Sequence, residues 1–241
     1  MFHDLSGYPQ VGAGIIVPYD FALDRELWRW TPAGSSLHLT RLPAGPAAVT
    51  IEMVTSVGNT ADVRAAVGEL LTVEPAVVAY ACTSGSFIAG PTGEHALVAA
   101  MLNAGAPAAV TTSGALLQAL DLLGIQRVSI ATPYSTDITA GLRDFLIASG
   151  RQVVGSSELG LAVEIWKVRQ QQTAELIRSA DAPTAEAIVV SCTNLPSYDV
   201  IAPLEAELGK PIISANQATM WAAMRLAGLA AVGDGQRLLA H

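Results

Sequence analysis

Short runs of apolar, often β-branched residues alternate along the chain with longer segments in which apolar residues recur every three or four positions. The short runs are typical of buried strands, and the longer segments have the period of amphipathic helices. Strands are predicted at residues 11–17, 37–42, 76–80, 107–111, 127–131, 187–190 and 211–214, with a further one beginning at 153. Helices are predicted at residues 22–30, 62–71, 94–103, 115–123, 167–179, 200–208 and 219–226, with a further one ending at 147.

This alternation of strands and helices predicts the fold class. Strands that are separated by helices pair in parallel, and the crossovers between them are right-handed. An α/β fold of this kind carries its functional residues at the carboxyl ends of the strands. The segments that directly follow the predicted strands are therefore where a site is expected.

The same landmarks occur twice, in the same order and at nearly the same separation. Val-Pro-Tyr at 17–19 corresponds to Thr-Pro-Tyr at 132–134, Cys82 to Cys192, and Pro107 to Pro211. We therefore predict two pseudo-symmetric Rossmann-like halves, each a parallel sheet flanked by helices: residues 1–112 together with 215–241, and residues 113–214. An approximate twofold axis between the halves would place the site in the cleft between them.

The chain has two cysteines, and both occupy equivalent places in this repeat. Cys82 and Cys192 each end an apolar strand and precede small hydroxyl residues and a helical pattern. Backbone N–H groups at the start of a helix favour a thiolate, so both thiols are expected to be reactive. Thiols on opposite faces of a small substrate suit racemisation at an acidic carbon or isomerisation of an activated double bond. The alternative is two structural cysteines in the core.

The residues after the cysteines are candidates for holding a carboxylate. The backbone amides and side chains of Thr83, Ser84, Thr193 and Asn194 could stabilise negative charge that develops on a carboxylate in the transition state. The same residue types are preferred as plain helix caps, so this second interpretation stays open.

Composition narrows the class of partner. Of 241 residues, 51% are apolar and 14% charged, as in a compact globular protein. The net charge of −8 argues against a nucleic-acid or anionic-membrane surface. No apolar run is long enough to span a bilayer, and the first seven residues lack the layout of a signal peptide. A cytoplasmic protein with reduced thiols is expected.

No cofactor or metal is predicted. The four histidines lack the spacing of metal ligands, and the glycines at 90–93 lack the Gly-Lys-Ser/Thr ending of a phosphate-binding loop. Apolar stripes on the predicted helices 115–123 and 219–226 are expected to be core or, alternatively, a homo-oligomer interface.

The cysteine segments resemble those of the aspartate/glutamate racemase superfamily, in its branch of maleate cis–trans isomerases and arylmalonate decarboxylases. Residues 81–86 resemble that family's first cysteine turn, and residues 191–197 its second. Ala-Thr-Pro-Tyr at 131–134 resembles a strand that ends in a substrate-binding tyrosine. The resemblance implies Cys82 as nucleophile or base, Cys192 as the opposing acid, and Tyr134 as a carboxylate ligand. Because the family's decarboxylases keep only the second cysteine, two cysteines favour an isomerase or a racemase.

Two positions depart from the maleate isomerase pattern. Phe21 stands where those enzymes carry an asparagine that binds a carboxylate, and no asparagine occurs near 158–162. Asp20 stands where glutamate racemases place an aspartate. We therefore expect an isomerase of a small carboxylate for which maleate is a poor substrate. The alternatives are a racemase of an amino acid or related compound, a decarboxylase, and a non-catalytic binding protein.

Overall fold

Two four-stranded parallel sheets form the centre of the protein, whose computed structural model describes residues 10–46 and 48–241. The first sheet has the order β2-β1-β3-β4 and consists of β1 (Val11–Val17), β2 (Ser35–Arg41), β3 (Val77–Tyr80) and β4 (Ala109–Thr111). The second has the order β6-β5-β7-β8 and consists of β5 (Arg127–Thr132), β6 (Gln152–Glu158), β7 (Ala187–Val190) and β8 (Ile212–Ser214). The identical order in both sheets confirms the predicted fold class.

Helices cover the sheets. They are α1 (Asp24–Trp28), α2 (Ile51–Val57), α3 (Thr60–Leu70), α4 (Thr83–Phe87), α5 (Gly90–Asn103), α6 (Thr112–Leu122), α7 (Thr136–Ala148), α8 (Gln170–Ala180), α9 (Tyr198–Leu208) and α10 (Ala215–Leu226). Short 3₁₀ turns occupy Leu71–Val73, Ile165–Lys167 and Arg237–Ala240. The sequence did not predict α2, which follows a segment rich in proline, alanine and glycine.

The two inner strands of each sheet position the site. All residues of β3 and β7 are buried, because both strands are short, uncharged and rich in valine, alanine and isoleucine. The register pairs Ile16 with Tyr80 in the first sheet and Ala131 with Val190 in the second. The segments that follow each pair of strands therefore emerge side by side at the carboxyl edge of their sheet.

Helices α6 and α10 join the two parts of the repeat. The hydroxyl groups of Thr112 and Thr219 lie 2.8 Å apart, and Thr112 also donates to the carbonyl of Tyr80 at 3.3 Å. Helix α10 thus contacts the first sheet although it follows the second. The division into residues 1–112 with 215–241 and residues 113–214 stays a prediction.

In the part of the chain that the structure describes, no helix combines the length and the apolar character needed to cross a membrane. The expectation of a missing signal peptide concerns residues 1–9, which lie outside the described residues.

Candidate active site

A small cavity lies at the carboxyl ends of β1, β3, β5 and β7. Its volume is about 20 Å³, room for about one water molecule. It is lined by Pro18, Asp20, Val49, Met53, Cys82, Thr83, Ser84, Tyr134, Ile165, Cys192, Thr193 and Asn194. The cavity thus contains every candidate residue from the sequence except Phe21.

Cys82 enters the cavity from the first sheet. It follows β3 in extended conformation, with φ −140° and ψ 111°, and precedes α4. The residue is 4% exposed, and its sulfur lies 3.9 Å from the hydroxyl of Ser84. The backbone N–H of Gly85 faces the sulfur and lowers the pKa of the thiol. The residues in the first turn of α4 are small, which lets the Gly85 N–H approach the Cys82 sulfur.

Cys192 enters the same cavity from the second sheet, and its backbone is strained. Its φ is +87°, a region that residues with a side chain seldom adopt. The backbone N–H of Asn194 donates to the sulfur at 3.3 Å. A strained cysteine at the end of a buried strand is typical of a functional position rather than of a core residue.

The protonation of both thiols differs from the expectation of reactive thiolates. Burial raises the pKa of Cys82 above its ordinary value, and it raises the pKa of Cys192 to about 12. The hydrogen bonds that stabilise each thiolate are present, but the loss of water around the sulfur outweighs them. The prediction that helix amides make these thiols readily ionised is therefore wrong for this cavity.

Tyr134 follows β5 and is paired with Cys192. Its side chain is buried, its ring meets Phe87 edge-on with 6.3 Å between centroids, and its hydroxyl lowers the pKa of Cys192. Burial raises the pKa of Tyr134 well above its ordinary value, so the hydroxyl keeps its proton. A protonated hydroxyl can donate to a thiolate or to a carboxylate.

Asp20 and Asn194 are joined to one another across the cavity. The amide of Asn194 donates to the backbone carbonyl of Asp20 at 3.1 Å and to its carboxylate at 3.3 Å. Burial raises the pKa of Asp20. The side chain of Asn194 therefore holds the loop after β1, which its sequence position did not indicate.

The hydroxyl residues beside the cysteines differ in their partners. The oxygen of the Thr83 side chain is buried and finds no hydrogen-bond partner within residues 10–46 and 48–241. The backbone carbonyl of Thr193 accepts from the side chain of Asn216 at 2.9 Å. A buried hydroxyl without a partner in a cavity wall is a candidate ligand for a polar substrate atom.

Phe21 does not line the cavity, which corrects the interpretation drawn from the sequence. Its side chain is 2% exposed and belongs to the core, and its carbonyl accepts from Arg41 at 2.6 Å. The chain turns at 18–21, so that Asp20 faces the cavity and the next side chain faces away. Phe21 therefore adds no apolar surface to the site.

Three apolar residues that the sequence did not single out cover the cavity instead. Val49 and Met53 come from the segment around the start of α2, and Ile165 comes from a 3₁₀ turn in the second half. The N–H of Val49 donates to the carbonyl of Ala162 at 2.7 Å, which ties the two sides of this cover together. The helical spacing of Val49, Met53 and Val57 is the one signal that could have found part of it.

The charge of the lining is unusual for a carboxylate site. Within the described ranges, no lysine, arginine or histidine lines this cavity, and no cluster of side chains suited to a metal ion occurs. A bound carboxylate would have to rely on hydroxyls and backbone N–H groups. The rest of the lining includes the apolar side chains of Val49, Met53 and Ile165 and the carboxyl group of Asp20.

Comparison with known proteins agrees with this architecture. Residues 48–240 match the model of the arylmalonate decarboxylase family. Arylmalonate decarboxylase of Bordetella bronchiseptica is 35% identical over 158 residues, which are 64% of this chain and 65% of that protein. The match thus spans slightly less than two thirds of that relative's length.

Solved structures cover more of the chain. A liganded arylmalonate decarboxylase carrying a glycine-to-cysteine and a cysteine-to-serine substitution has 31% identity and a TM-score of 0.87, covering 95% of this chain and 98% of that one. A cysteine-to-serine mutant of Nocardia farcinica maleate cis–trans isomerase, with a covalently bound succinylcysteine intermediate, has 26% identity and a TM-score of 0.86 over the same shares.

Two equivalent parallel sheets that each send a strand-end cysteine into one cavity define a protein of the aspartate/glutamate racemase superfamily. Within it, this chain belongs to the arylmalonate decarboxylase family, the branch that also contains the maleate isomerases. The family resemblance predicted from the cysteine segments is confirmed.

Proposed function

We propose that the protein is a cofactor-independent isomerase of a small unsaturated carboxylate, with Cys82 as nucleophile and Cys192 as acid. The observation that carries this proposal is the presence of both sulfurs in the wall of one cavity, at the ends of equivalent strands. The similar fold of a maleate isomerase that holds a succinylcysteine intermediate supports it.

The reaction needs one covalent bond and one proton. The Cys82 thiolate adds to a carbon of the double bond, and the π electrons take the proton of the Cys192 thiol at the neighbouring carbon. The former double bond is now single and rotates. The Cys192 thiolate then removes the proton, the C–S bond breaks, and Cys82 leaves as the thiolate with which the cycle began.

The high pKa of Cys192 supports its role as the acid. With a pKa of about 12, Cys192 holds its proton at neutral pH and is available as the acid. Once it has lost that proton it is a strong base, which favours its return in the second half of the cycle. Tyr134 donates toward this sulfur and would stabilise the transient thiolate.

The polar residues of the cavity wall could hold one carboxylate. The unpartnered hydroxyl of Thr83, with Ser84 and Thr193 beside it, would hold the carboxylate conjugated with the double bond. Charge from the attacked double bond flows onto that carboxylate, so donors placed there stabilise the transition state more than the ground state.

The apolar part of the cavity wall disfavours a second carboxylate. Val49, Met53 and Ile165 offer it no hydrogen bond, and an unpaired buried carboxylate costs several kcal/mol. Asp20 adds a like charge in its ionised form. We therefore propose a monocarboxylate with an apolar or cationic substituent as the substrate class, and slow turnover of maleate.

Three assays on the same enzyme preparation test this function. The first follows cis–trans interconversion of α,β-unsaturated monocarboxylates and of maleate by chromatography, and Cys82→Ser and Cys192→Ser should each abolish it. The second measures carbon dioxide released from an arylmalonate. The third measures deuterium uptake at the α-carbon of amino acids and hydroxy acids in heavy water. Carbon dioxide release without isomerisation would contradict the isomerase.

A racemase is the second candidate, because Asp20 lines the same cavity as the two cysteines. Its carboxylate would bind a substrate ammonium, while the thiols exchange an α-proton from opposite faces. Deuterium uptake by an amino acid, lost in Asp20→Asn and in either cysteine variant, would favour this function over isomerisation.

A further inference from the structure

Tyr80 is a buried tyrosine that the proposed cycle does not use. It ends β3 two residues before Cys82, and because the chain is extended between them, both side chains point to the same side of the strand. The side chain is fully buried, and its hydroxyl donates to the carbonyl of Val57 at 2.8 Å. Val57 is the last residue of α2, which also supplies Met53 to the cavity.

The hydroxyl of Tyr80 and the sulfur of Cys82 are neighbours around Gly85. A Cβ atom on Gly85 would lie 2.2 Å from the hydroxyl oxygen, 3.0 Å from a methyl of Val57 and 3.2 Å from the sulfur. The hydroxyl, the methyl and the sulfur therefore surround the place where a Cβ atom at position 85 would lie, and glycine is the residue without one. Tyr80 itself does not line the cavity, so any effect on the reaction must pass through Cys82 or α2.

We propose that Tyr80 is a positioning residue that fixes the Cys82 side chain and turns its O–H onto the sulfur when the thiolate forms. In the thiol state the hydroxyl donates to Val57, as the structure shows. A hydroxyl hydrogen rotates about its C–O bond, so the change exchanges one hydrogen bond for another and Tyr80 keeps its proton. A bond donated to a thiolate is charge-assisted and therefore stronger than one to a neutral carbonyl.

The electrostatics around both thiols agree with this role. The contact with Tyr80 lowers the pKa of Cys82, against the larger opposing effect of burial. Tyr134 has the corresponding place beside Cys192, so each thiol has its own tyrosine. Tyr134, however, lines the cavity and could also contact substrate. Tyr80 does not line the cavity, so its hydroxyl can act on the reaction only through Cys82 or α2.

Other titratable groups also face Cys82 and must be held constant in a test. Asp20 and Tyr19 follow β1, and Tyr134 and Cys192 come from the second sheet. Asp20 raises the pKa of Cys82 through its charge. A single-thiol background, Cys192→Ser, leaves all of them but Cys192 unchanged.

The inference rests on the proposed role of Cys82 in the isomerase. Its experiment measures the pKa and the alkylation rate of the Cys82 thiol and not turnover, so the role of Tyr80 and the isomerase function can each be refuted separately. In Cys192→Ser protein, the rate of alkylation by iodoacetamide is measured against pH, together with the ultraviolet absorbance of the thiolate. Tyr80→Phe should raise the apparent pKa of Cys82 by about one unit and slow labelling at pH 7 about tenfold. In Cys82→Ser protein, Tyr80→Phe should leave the pKa of Cys192 unchanged.

Gly85→Ala supplies an independent variant should Tyr80→Phe fail to fold. Its methyl displaces the hydroxyl while the tyrosine remains, and it should raise the pKa of Cys82 in the same direction. In a Tyr80→Phe background the contact with the hydroxyl no longer exists, and only the approach to the sulfur at 3.2 Å remains. Gly85→Ala should therefore add a smaller shift there than in the wild-type background. A shift below about 0.3 unit in both single variants, or equal Gly85→Ala shifts in both backgrounds, would overturn the proposal.

Discussion

The side-chain amide of Asn194 donates to both the backbone carbonyl and the carboxylate of Asp20, at 3.1 and 3.3 Å. Its oxygen accepts from the N–H of Ala22 at 2.9 Å. Since Asp20 and Ala22 follow β1 and Asn194 follows β7, this one side chain ties the loop of the first sheet to the cysteine turn of the second. The shape of the cavity depends on that link.

Asn194→Asp should therefore lower stability, because it replaces two donors with a carboxylate beside Asp20. We expect a loss of about 1–3 kcal/mol at pH 7, measured by urea unfolding. Paired carboxylates raise the folded-state pKa above the unfolded value. The electrostatic part of the loss should therefore shrink as the pH falls through the raised folded-state pKa, and it should be gone below the unfolded pKa of about 4. Asn103→Asp, an exposed charge control, should change stability by less than about 0.5 kcal/mol. Wild-type stability of Asn194→Asp at pH 7 would contradict this account.

Substitution by glycine should affect protein stability differently at the two cysteine positions. Cys192 has a φ of +87°, whereas Cys82 has a φ of −140°. Glycine relieves strain only at positive φ, so Cys192→Gly should be more stable than Cys192→Ala by about 1 kcal/mol. Cys82→Gly should instead be less stable than Cys82→Ala by a similar amount. Urea unfolding of the four variants measures both differences, and the same order at both sites would contradict the strain.

The pH dependence of turnover should follow Cys82. Burial raises the pKa of this thiol above its ordinary value of 9.0, so the thiolate fraction at pH 7 is small and grows as the pH rises. The ratio kcat/KM should therefore increase from pH 7 past 9.0, with no falling limb until Cys192 loses its proton near a pKa of about 12. Initial rates in the range where circular dichroism shows a folded protein test this. A maximum below pH 7 would contradict it.

Met53 offers a test of the apolar part of the cavity wall. Met53→Gln keeps the side-chain length and adds an amide donor where a second carboxylate would lie. We expect the kcat/KM for maleate, relative to a monocarboxylate, to rise about tenfold. Met53→Leu is the matched control and should leave the ratio unchanged. Equal effects of both variants would show that the apolar character of Met53 does not set selectivity.

Sequence patterns predicted the sheets and the cysteine pair because both depend on local composition. The buried strands β3 and β7 are short uncharged runs, and Cys82 and Cys192 directly follow them. The repeat then placed both thiols in one cleft without any knowledge of contacts.

The cover and the loop after β1 were harder to predict, because their geometry is set by tertiary packing. Val49 and Ile165 lie far apart in sequence and meet only across the cavity. Phe21 follows Asp20 directly, and the turn at residues 18–21 places the side chain of Asp20 in the cavity wall and that of Phe21 in the core. The direction of the thiol pKa was also missed, since a sequence shows the helix amides but not the loss of water around the sulfur.

The central claim is that Cys82 attacks the substrate and Cys192 supplies the proton. Mass spectrometry of protein incubated with an α,β-unsaturated carboxylate, followed by proteolysis, tests it most directly. In Cys192→Ser, water can slowly supply the proton, and without the Cys192 thiolate no strong base takes it back. This variant should therefore accumulate an adduct on the Cys82 peptide with the mass of the added acid, and Cys82→Ser should accumulate none. An adduct on Cys192 in the Cys82→Ser protein, or no adduct on Cys82 in protein that still turns over the acid, would contradict the account.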